Sequence, residues 1–229
     1  MGRTAIVTGA SRGLGLALTR RLVEDGWTVV GDGRDTEALS AAFGPFGDRA
    51  IAVPGDITDH EHRIDLLATA VTAGGGLHLV VNNAGGLGPS PLPALAEYPL
   101  DDLRRLFDAN VVAPLALVQL ALPLLTARRG VVVDVTSDAS VEGYEGWGGY
   151  GATKAALDHV GRVLAVEHPT LRVLTVDPGD MRTQMHQDAF PGDDISDRPL
   201  PEEAVPGLLA LIDGDQPSGR YRVSEVLVP

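Results

Sequence analysis

Tyr150 and Lys154 stand four residues apart in a stretch whose pattern predicts a helix. This spacing places both side chains on one face of that helix. A free phenol has a pKa of about 10, and a neighbouring ammonium lowers that pKa because it favours the phenolate. Acid–base catalysis needs a group that exchanges protons near the working pH. The pair therefore predicts a proton-transferring tyrosine, although the same spacing also occurs on ordinary helix surfaces.

Three glycines, Gly9, Gly13 and Gly15, follow the first predicted strand and precede a helix. Glycine is needed where the chain turns sharply and where backbone approaches a pyrophosphate without a Cβ in the way. The helix start then offers free N–H groups and the positive end of its dipole to phosphates. The spacing is Gly-x3-Gly-x-Gly, not the commonest Gly-x-Gly-x2-Gly, so a plain tight turn is the alternative. The position between strand and helix favours a dinucleotide site.

Short valine-rich runs alternate with longer amphipathic stretches, which indicates strands buried on both faces and connected by helices. The predicted strands are Thr4–Thr8, Thr28–Gly31, Ala50–Val53, Leu77–Asn82, Gly130–Thr136, Arg172–Asp177 and Gly219–Val226. The predicted helices are Leu14–Asp25, Asp35–Phe43, Asp59–Ala73, Leu100–Ala127, Tyr150–Glu167 and Glu202–Ile212. The alternation predicts an α/β, three-layer, doubly wound Rossmann-type fold with a mostly parallel seven-stranded sheet.

The two Gly/Pro-rich pieces, 85–93 and 178–201, are interpreted as loops within one domain. We therefore expect a single domain over residues 1–229. Its cofactor-binding half would span roughly 1–110, and its catalytic and substrate half roughly 110–229.

Motifs along nearly the whole chain resemble those of the short-chain dehydrogenase/reductase family, in the same order and at the same places relative to the strands. They are Thr8-Gly9-x3-Gly13-x-Gly15, Asp56-Ile57, Asn82-Asn83-Ala84-Gly85, Asn110, Ser137, Tyr150-x3-Lys154 and Pro178-Gly179-Asp180-Met181-Arg182-Thr183. Most follow strand ends, where doubly wound sheets bind ligands. The resemblance implies an oxidoreductase that moves a hydride between a nicotinamide and the carbonyl or alcohol carbon of a small organic substrate.

The resemblance implies four catalytic residues, Asn110, Ser137, Tyr150 and Lys154. Tyr150 would protonate the substrate oxygen in reduction or take its proton in oxidation. Ser137 would hydrogen-bond that oxygen as charge develops on it. Lys154 would lower the pKa of Tyr150 and hold the nicotinamide ribose, and Asn110 would anchor a water that connects Lys154 to solvent.

The same motifs imply the cofactor-binding residues. These are Gly9, Ser11, Arg12, Gly13, Leu14, Gly15, Arg34, Asp56, Ile57, Asn83, Ala84, Gly85, Tyr150, Lys154, Pro178, Gly179 and Thr183.

The end of the second strand decides between the two nicotinamide cofactors. An acid there binds the ribose 2′-OH of NAD, whereas basic residues bind the 2′-phosphate of NADP. Gly33 occupies the usual place of the acid, and Arg34 follows it, with Arg12 nearby in the glycine loop. Two guanidinium groups could clamp a phosphate. We expect NADP(H), with NAD(H) as the alternative if a one-residue shift makes Asp32 the ribose acid.

Pro114 gives the role of Asn110 a physical basis. Proline has no N–H, so the carbonyl four residues back, that of Asn110, loses its helical partner. We predict that this carbonyl binds the relay water; a simple helix kink is the alternative. Elsewhere, His186 lies in the loop expected to cover the substrate, where a lone histidine is more often a surface residue, and Tyr144 and Trp147 are candidates for the pocket wall.

Composition narrows the class of protein. The chain has no cysteine, which excludes disulfides and thiolate metal sites. Its histidines form no cluster with acidic residues at the spacing of metal ligands, so we predict no metal site. The net charge of −13 disfavours nucleic acid and anionic membranes as partners. No apolar run reaches the roughly 20 residues of a membrane span, and the start reads directly into a strand rather than a signal peptide. We expect a cytoplasmic protein.

Two alternatives remain beside an NADPH-dependent ketone or aldehyde reductase. One is an NAD-dependent alcohol dehydrogenase; the other is a non-catalytic NADP-binding regulator, which would be expected to have lost Tyr150, Lys154 or Ser137. The family resemblance also implies a homo-oligomer, a dimer or tetramer. The C-terminal 220–226 segment lacks the family's Asp-Gly-Gly ending, which puts the usual tetramer contacts in question.

Overall fold

The computed structural model describes residues 2–226. Within these residues a single seven-stranded sheet has the order β3-β2-β1-β4-β5-β6-β7, and every neighbouring pair of strands is parallel. The strands are β1 Thr4–Val7, β2 Thr28–Gly33, β3 Ala50–Pro54, β4 Leu79–Asn82, β5 Val131–Val135, β6 Arg172–Asp177 and β7 Gly219–Arg222. The predicted doubly wound α/β fold is confirmed.

Helices cover both faces of the sheet. They are α1 Gly13–Glu24, α2 Thr36–Phe43, α3 His60–Gly74, α4 Leu100–Phe107, α5 Ala113–Arg128, α6 Gly148–Glu167, α7 Gln184–Ala189, α8 Pro201–Asp213 and α9 Val223–Val226. Successive strand residues point to opposite faces. Ala5 and Val7 therefore join the core under α1 and α8, while Ile6 joins the core under α3 and α5.

The strand order reverses between β1 and β4, which are neighbours in the sheet although two strands and three helices separate them in sequence. The connections that leave these two strands run to opposite sides, so a crevice opens at their carboxyl ends. The glycine loop follows β1, and Asn83 follows β4 directly. The fold thus brings together motifs that are about seventy residues apart.

One predicted helix is interrupted in the structure. In place of Leu100–Ala127, α4 and α5 flank a π turn over Asp108–Val112, which carries Asn110. Pro114 lies in the first turn of α5, directly after the π turn, and it has no N–H to donate to that turn. The helical stretch therefore has a π bulge at Asn110, whereas the alternative expectation was a simple kink at the proline.

Within residues 2–226, the stretch Leu100–Arg128 is long and apolar enough to cross a membrane by length and composition alone. The sequence analysis expects no apolar run of that length, but the helical stretch continues through Pro114 and Pro123. Leu117, Ala121 and Leu125 are fully buried in the core beside β4 and β5. A buried core helix of a soluble protein meets the same criterion.

Two further differences from the sequence prediction occur near the carboxyl end. The predicted strand Gly219–Val226 stops at Arg222, and the next four residues form α9. The loop expected over 178–201 contains the six-residue helix α7. Both segments are short, and neither has enough residues for a periodic pattern to be visible in the sequence.

Candidate active site

Helix α6 places Tyr150 and Lys154 side by side in the interior. Tyr150 is 9% exposed and Lys154 is 5% exposed. The Lys154 Nζ donates to the carbonyl of Val135 at 2.8 Å and lies 5.5 Å from the centre of the Tyr150 ring. The backbone of β5 therefore fixes the ammonium beside the phenol, as the four-residue spacing predicts.

The pKa of Tyr150 does not follow the sequence prediction. Burial raises it well above the ordinary value, and the negative charges of Asp177 and Asp138 raise it further. The expected lowering of this pKa by Lys154 is wrong for this structure, because burial of the phenol and these two carboxylates set the direction of the shift. Tyr150 is consequently held in its protonated form at neutral pH.

The pKa of Lys154 moves in the opposite direction. Burial lowers it to about 8, while the carboxylates of Asp134 and Asp158 act against that lowering. Asp134 is itself buried, which raises its pKa to about 6 despite a hydrogen bond from Asn82 Nδ2 at 2.7 Å. Above that pH the Asp134 carboxylate stabilises the charged lysine.

Ser137 lies two residues after the end of β5, at the amino end of a short 3₁₀ turn. Its Oγ donates to Asp138 Oδ1 at 2.9 Å and accepts from the Ala139 N–H at 3.2 Å. Asp138 also accepts from the Tyr144 hydroxyl at 3.0 Å. Sequence reasoning missed Asp138, since an acid next to a serine carries no spacing signal of its own.

The buried side chain of Asn110 joins two parts of the site. Its Oδ1 accepts from the Gly86 N–H at 2.8 Å, and its Nδ2 donates to the Gly86 carbonyl at 2.9 Å and to Thr153 Oγ1 at 3.0 Å. Thr153 in turn donates to the Tyr150 carbonyl at 2.7 Å. Asn110 therefore ties the loop after β4 to α6, and the water-binding role of its carbonyl stays a prediction.

The glycine loop is locked to the end of β4 by Thr8 and Asn83. Thr8 Oγ1 accepts from the N–H groups of Asn83 and Ala84 at 3.0 and 2.9 Å, and Asn83 Nδ2 donates to the Thr8 carbonyl at 2.8 Å. A Cβ on Gly15 would come within 2.4 Å of the Gly9 carbonyl oxygen. The two motifs thus form one rigid unit at the switch point of the sheet.

The carboxylate of Asp32 is buried, and each of its oxygens has a partner within the protein. Its Oδ1 accepts from the Gly9 N–H at 2.6 Å, and its Oδ2 lies 3.2 Å from His62 Nε2. Only 2% of the residue is exposed. Asp32 therefore supports the glycine loop. The sequence alone does not reveal this role, because His62 lies thirty residues away in the chain.

Gly33 and Arg34 follow at the open end of β2. A Cβ on Gly33 would lie 3.2 Å from both Cβ and Oγ of Ser11, so the glycine loop packs closely against this position. Arg34 and Arg12 are exposed, and within residues 2–226 neither forms an ion pair shorter than 4 Å. Both guanidinium groups are available to an anion.

Asp56 and Ile57 begin the loop after β3. Asp56 Oδ1 accepts from the N–H and Oγ1 of Thr58 at 2.9 and 2.8 Å. The backbone hydrogen bond from Thr58 lowers the pKa of Asp56, and the charge of Arg34 contributes to the lowering. Ile57 is 8% exposed and belongs to the core under α3, so the carboxylate of Asp56 is the more accessible member of the pair.

The loop after β6 turns towards the glycine loop. Asp177 Oδ1 accepts from the Gly179 N–H at 3.0 Å, and Gly179 has a φ of +80°. Thr183 caps α7, its Oγ1 accepting from the His186 N–H at 3.2 Å. The methyl group of Thr183 lies 3.6 Å from where a Cβ on Gly13 would stand. The carboxyl half of the chain thus approaches the phosphate-binding turn.

An apolar and aromatic wall flanks Tyr150. The ring of Trp147 packs edge-on against Tyr150 with centres 5.7 Å apart, and lies 6.0 Å from the ring of Phe190. His186 packs against Phe190 at 5.0 Å and is 9% exposed, so the expectation of a surface histidine is wrong. Leu87, Ala139 and Ala189 belong to the same cluster, and Leu92 packs against it.

These residues fit a nicotinamide dinucleotide. Arg12 precedes α1 without a side-chain cap, which leaves the first-turn N–H groups to an anionic ligand. Gly13, with a φ of +57°, presents no side chain between that turn and Thr183. In contrast, no group of three or more His, Cys, Asp or Glu side chains in residues 2–226 could hold a metal ion.

Comparisons with known proteins agree with this geometry. The short chain dehydrogenase family model matches residues 3–194. Benzil reductase ((S)-benzoin forming) of Saccharomyces cerevisiae is 37% identical over 197 residues, which cover 82% of this chain and 75% of that protein. Serine 3-dehydrogenase of Rhizobium radiobacter is 35% identical over 187 residues, which cover 80% of this chain and 74% of that protein.

The fold is similar as well. The crystal structure of the KRED1-Pglu enzyme superposes with a TM-score of 0.88 at 31% identity, covering 96% of this chain and 99% of that one. Both kinds of comparison agree with the motifs and with the sheet that holds them. The chain belongs to the short-chain dehydrogenase/reductase family and is an oxidoreductase that acts on CH–OH groups and the corresponding carbonyls.

Proposed function

We propose that this protein is an NADP(H)-dependent reductase of ketones or aldehydes. The observation that carries the proposal is the buried pair of a protonated Tyr150 and the Lys154 ammonium. In its protonated form Tyr150 can donate its proton to the oxygen on which negative charge develops during carbonyl reduction. Oxidation of an alcohol would need the phenolate, which burial disfavours.

Preference for NADP(H) rests on the end of β2. Gly33 offers no carboxylate to a ribose 2′-OH, and Asp32 is committed to Gly9 and His62. The exposed Arg34 and Arg12 supply the positive charge that a 2′-phosphate requires. The alternative, an NAD-dependent alcohol dehydrogenase, would need Asp32 to leave both of its partners.

The bound nicotinamide supplies the hydride. Tyr150 donates its hydroxyl proton to the substrate oxygen, and the Lys154 ammonium stabilises the negative charge left on the phenol. Ser137 can donate to the same oxygen once its hydroxyl rotates away from Asp138. Asn110 keeps the loop after β4 against α6, and the half-buried ring of Trp147 packs against Tyr150.

The cofactor assignment is tested by calorimetric binding of NADPH and NADH to the wild type and to Arg34→Ala. We expect the wild type to bind NADPH more tightly than NADH. Arg34→Ala should lower the affinity for NADPH about tenfold or more, since a charged hydrogen bond contributes about 1.5–3 kcal/mol. NADH binding should change little. Arg20→Ala, which removes an exposed arginine of α1, is the control.

A preference for NADH that Arg34→Ala leaves unchanged would overturn the NADP assignment and would make alcohol oxidation the first activity to examine. NADPH consumption with a panel of carbonyl compounds then tests the reductase assignment itself. Loss of that consumption in Tyr150→Phe, with NADPH still bound, is the expected result.

A narrower substrate class, aryl ketones, is favoured by the aromatic wall. The chain contains 2 Trp, 4 Tyr and 4 Phe, and three of these ten rings, Trp147, Tyr150 and Phe190, pack together beside the proton donor. Aromatic side chains favour stacked or edge-on contacts with other rings. One relative is named for its action on benzil, which carries two phenyl rings.

Rates of NADPH-dependent reduction of benzil and of a small aliphatic ketone test this class. Trp147→Ala should lower kcat/KM for benzil about tenfold, because an aromatic pair contributes about 0.5–1.5 kcal/mol beyond its buried area. The aliphatic ketone should be affected less, and Trp147→Phe should restore much of the benzil activity. Equal losses for both ketones would contradict an aryl pocket.

A further inference from the structure

Arg220 joins three separate parts of the active site from the edge strand β7. Its Nη2 donates to the Ser137 carbonyl at 3.0 Å and lies 3.3 Å from Asp177 Oδ2. Its Nε donates to Asp158 Oδ2 at 3.1 Å. Only 23% of the Arg220 side chain is exposed, so all these contacts are made below the surface.

Each contact reaches a segment that carries a proposed site residue. Ser137 itself stands at the end of β5. Asp158 lies on α6 one turn beyond Lys154, and its Oδ2 also accepts from Ser140 Oγ at 2.7 Å. Asp177 ends β6 and accepts from the Gly179 N–H. A single guanidinium group therefore connects the serine, the tyrosine–lysine helix and the Pro178-Gly179 turn.

The charges of this cluster explain why an arginine is needed. The side chains of Asp158 and Asp177 are 2% and 7% exposed, and two buried carboxylates are unfavourable without a cation. The planar fork of arginine can bind both and still donate to a carbonyl, whereas a lysine ammonium acts as a point charge. The negative charge of Asp177 also raises the pKa of Tyr150, so compensation of Asp177 affects the proton donor.

The neighbouring Arg222 provides a natural comparison. Its Nε lies 3.4 Å from the same Asp177 Oδ2, and its Nη2 donates to the half-exposed Glu142 at 3.2 Å. Among its contacts in residues 2–226 there is none to Ser137 or Asp158. The two arginines share a strand and one carboxylate, but only Arg220 reaches the serine.

We propose that Arg220 is a positioning residue for the reaction, one that holds Ser137 and the Pro178-Gly179 turn in register with Tyr150. The inference rests on the proposed roles of Ser137 and Tyr150. Arg220 touches neither the substrate nor the reacting atoms, and it acts by fixing the backbone on which Ser137 stands. A displacement of about 1 Å at such a group can cost about a hundredfold in rate.

The test compares Arg220→Gln with Arg222→Gln in steady-state reduction with NADPH. Arg220→Gln should lower kcat by about a hundredfold, with NADPH affinity within a few-fold of the wild type. Millimolar free guanidinium should restore part of the lost kcat, and methylammonium should not. Arg222→Gln should keep kcat within a few-fold.

Arg220→Lys keeps the charge and serves if Arg220→Gln does not fold. We expect it to fold, to bind NADPH and to turn over slowly. Equal kcat values for the two glutamine variants, or a full kcat in Arg220→Lys, would overturn the proposal. If the wild type oxidises alcohols instead, that result contradicts only the proposed reductase function. The kcat ratios of the Arg220 and Arg222 variants to the wild type are then measured for alcohol oxidation, and they still test the role of Arg220.

Discussion

At Lys154 the burial of the ammonium and the charge of Asp134 oppose each other. Lys154 is the only lysine in the sequence, and every other basic side chain apart from the histidines is an arginine, whose charge cannot be removed near neutral pH. Apart from the histidines, Lys154 is therefore the basic side chain that loses its positive charge as the pH rises through about 8. The pH dependence of the proposed reaction should report that loss.

Asp134→Asn should shift this dependence in a known direction. The Asp134 carboxylate raises the pKa of Lys154, so its removal lowers that pKa and the decline of kcat/KM at alkaline pH begins earlier. Below about pH 6 Asp134 is itself protonated, and the variant should match the wild type there. The measurement is a kcat/KM profile for carbonyl reduction from pH 5 to 10, a range chosen to bracket both groups.

Asp65→Asn, on the exposed face of α3, is the control for a simple change of net charge. An identical alkaline decline in Asp134→Asn and the wild type would contradict the coupling between Asp134 and Lys154.

At the scale of elements, the glycine loop and the end of β4 behave as one unit. Gly15 lies in the first turn of α1, where an added Cβ would meet the Gly9 carbonyl oxygen at 2.4 Å and Asn83 Nδ2 at 2.6 Å. Both neighbours are held by further hydrogen bonds, because the Gly9 N–H donates to Asp32 and Asn83 Nδ2 donates to the Thr8 carbonyl. The methyl group therefore cannot be accommodated by a shift of one flexible side chain.

Gly15→Ala should weaken NADPH binding by at least tenfold and lower the free energy of unfolding by about 1–3 kcal/mol, the usual cost of overpacking. Gly44→Ala, where a Cβ would meet nothing within 4 Å, is the matched control and should change neither property. Calorimetric titration and chemical denaturation measure the two effects. Unchanged NADPH binding in Gly15→Ala would show that the unit is looser than its contacts imply.

Elements with a strong periodic pattern could be predicted from the sequence, and elements set by distant contacts could not. The valine-rich strands and the start of α1 were predicted within one or two residues, because burial on both faces leaves a local pattern. The π turn at Asn110 and the end of β7 at Arg222 depend on neighbours far away in the chain. The same holds for Asp32, whose role is decided by Gly9 and by His62.

The site divides in the same way. Tyr150, Lys154 and the glycine motif have fixed local spacings, so the sequence reveals them. The raised pKa of Tyr150 arises from burial and from Asp177 and Asp138, which no local spacing reports. Arg220 likewise acquires its contacts only when β7 pairs with β6.

At the scale of the whole molecule, one sheet contains strands from both the proposed cofactor half and the proposed catalytic half. Two large cores lie on its two faces, and each includes residues of both halves. The proposed single domain should consequently unfold in one cooperative transition. A ligand that bridges the glycine loop and the Thr183 loop should stabilise the molecule as a unit.

NADPH at a hundred times its Kd should add about 2.7 kcal/mol of stability, which corresponds to a rise in Tm of roughly 5–10 °C for a chain of this size. Trp27 lies in the proposed cofactor half and Trp147 in the proposed catalytic half. Their fluorescence therefore allows the unfolding of both halves to be followed during heating. Two separate transitions, of which only one responds to NADPH, would contradict a single domain.

The position of Arg220 has a consequence for how activity arises during translation. β7 is made after the other six strands of the sheet, so the guanidinium group reaches Ser137 only when the whole sheet has been synthesised. Catalytic competence would then be a late event in biosynthesis, and a product that ends before Gly219 would lack the contact that holds the Ser137 backbone in place.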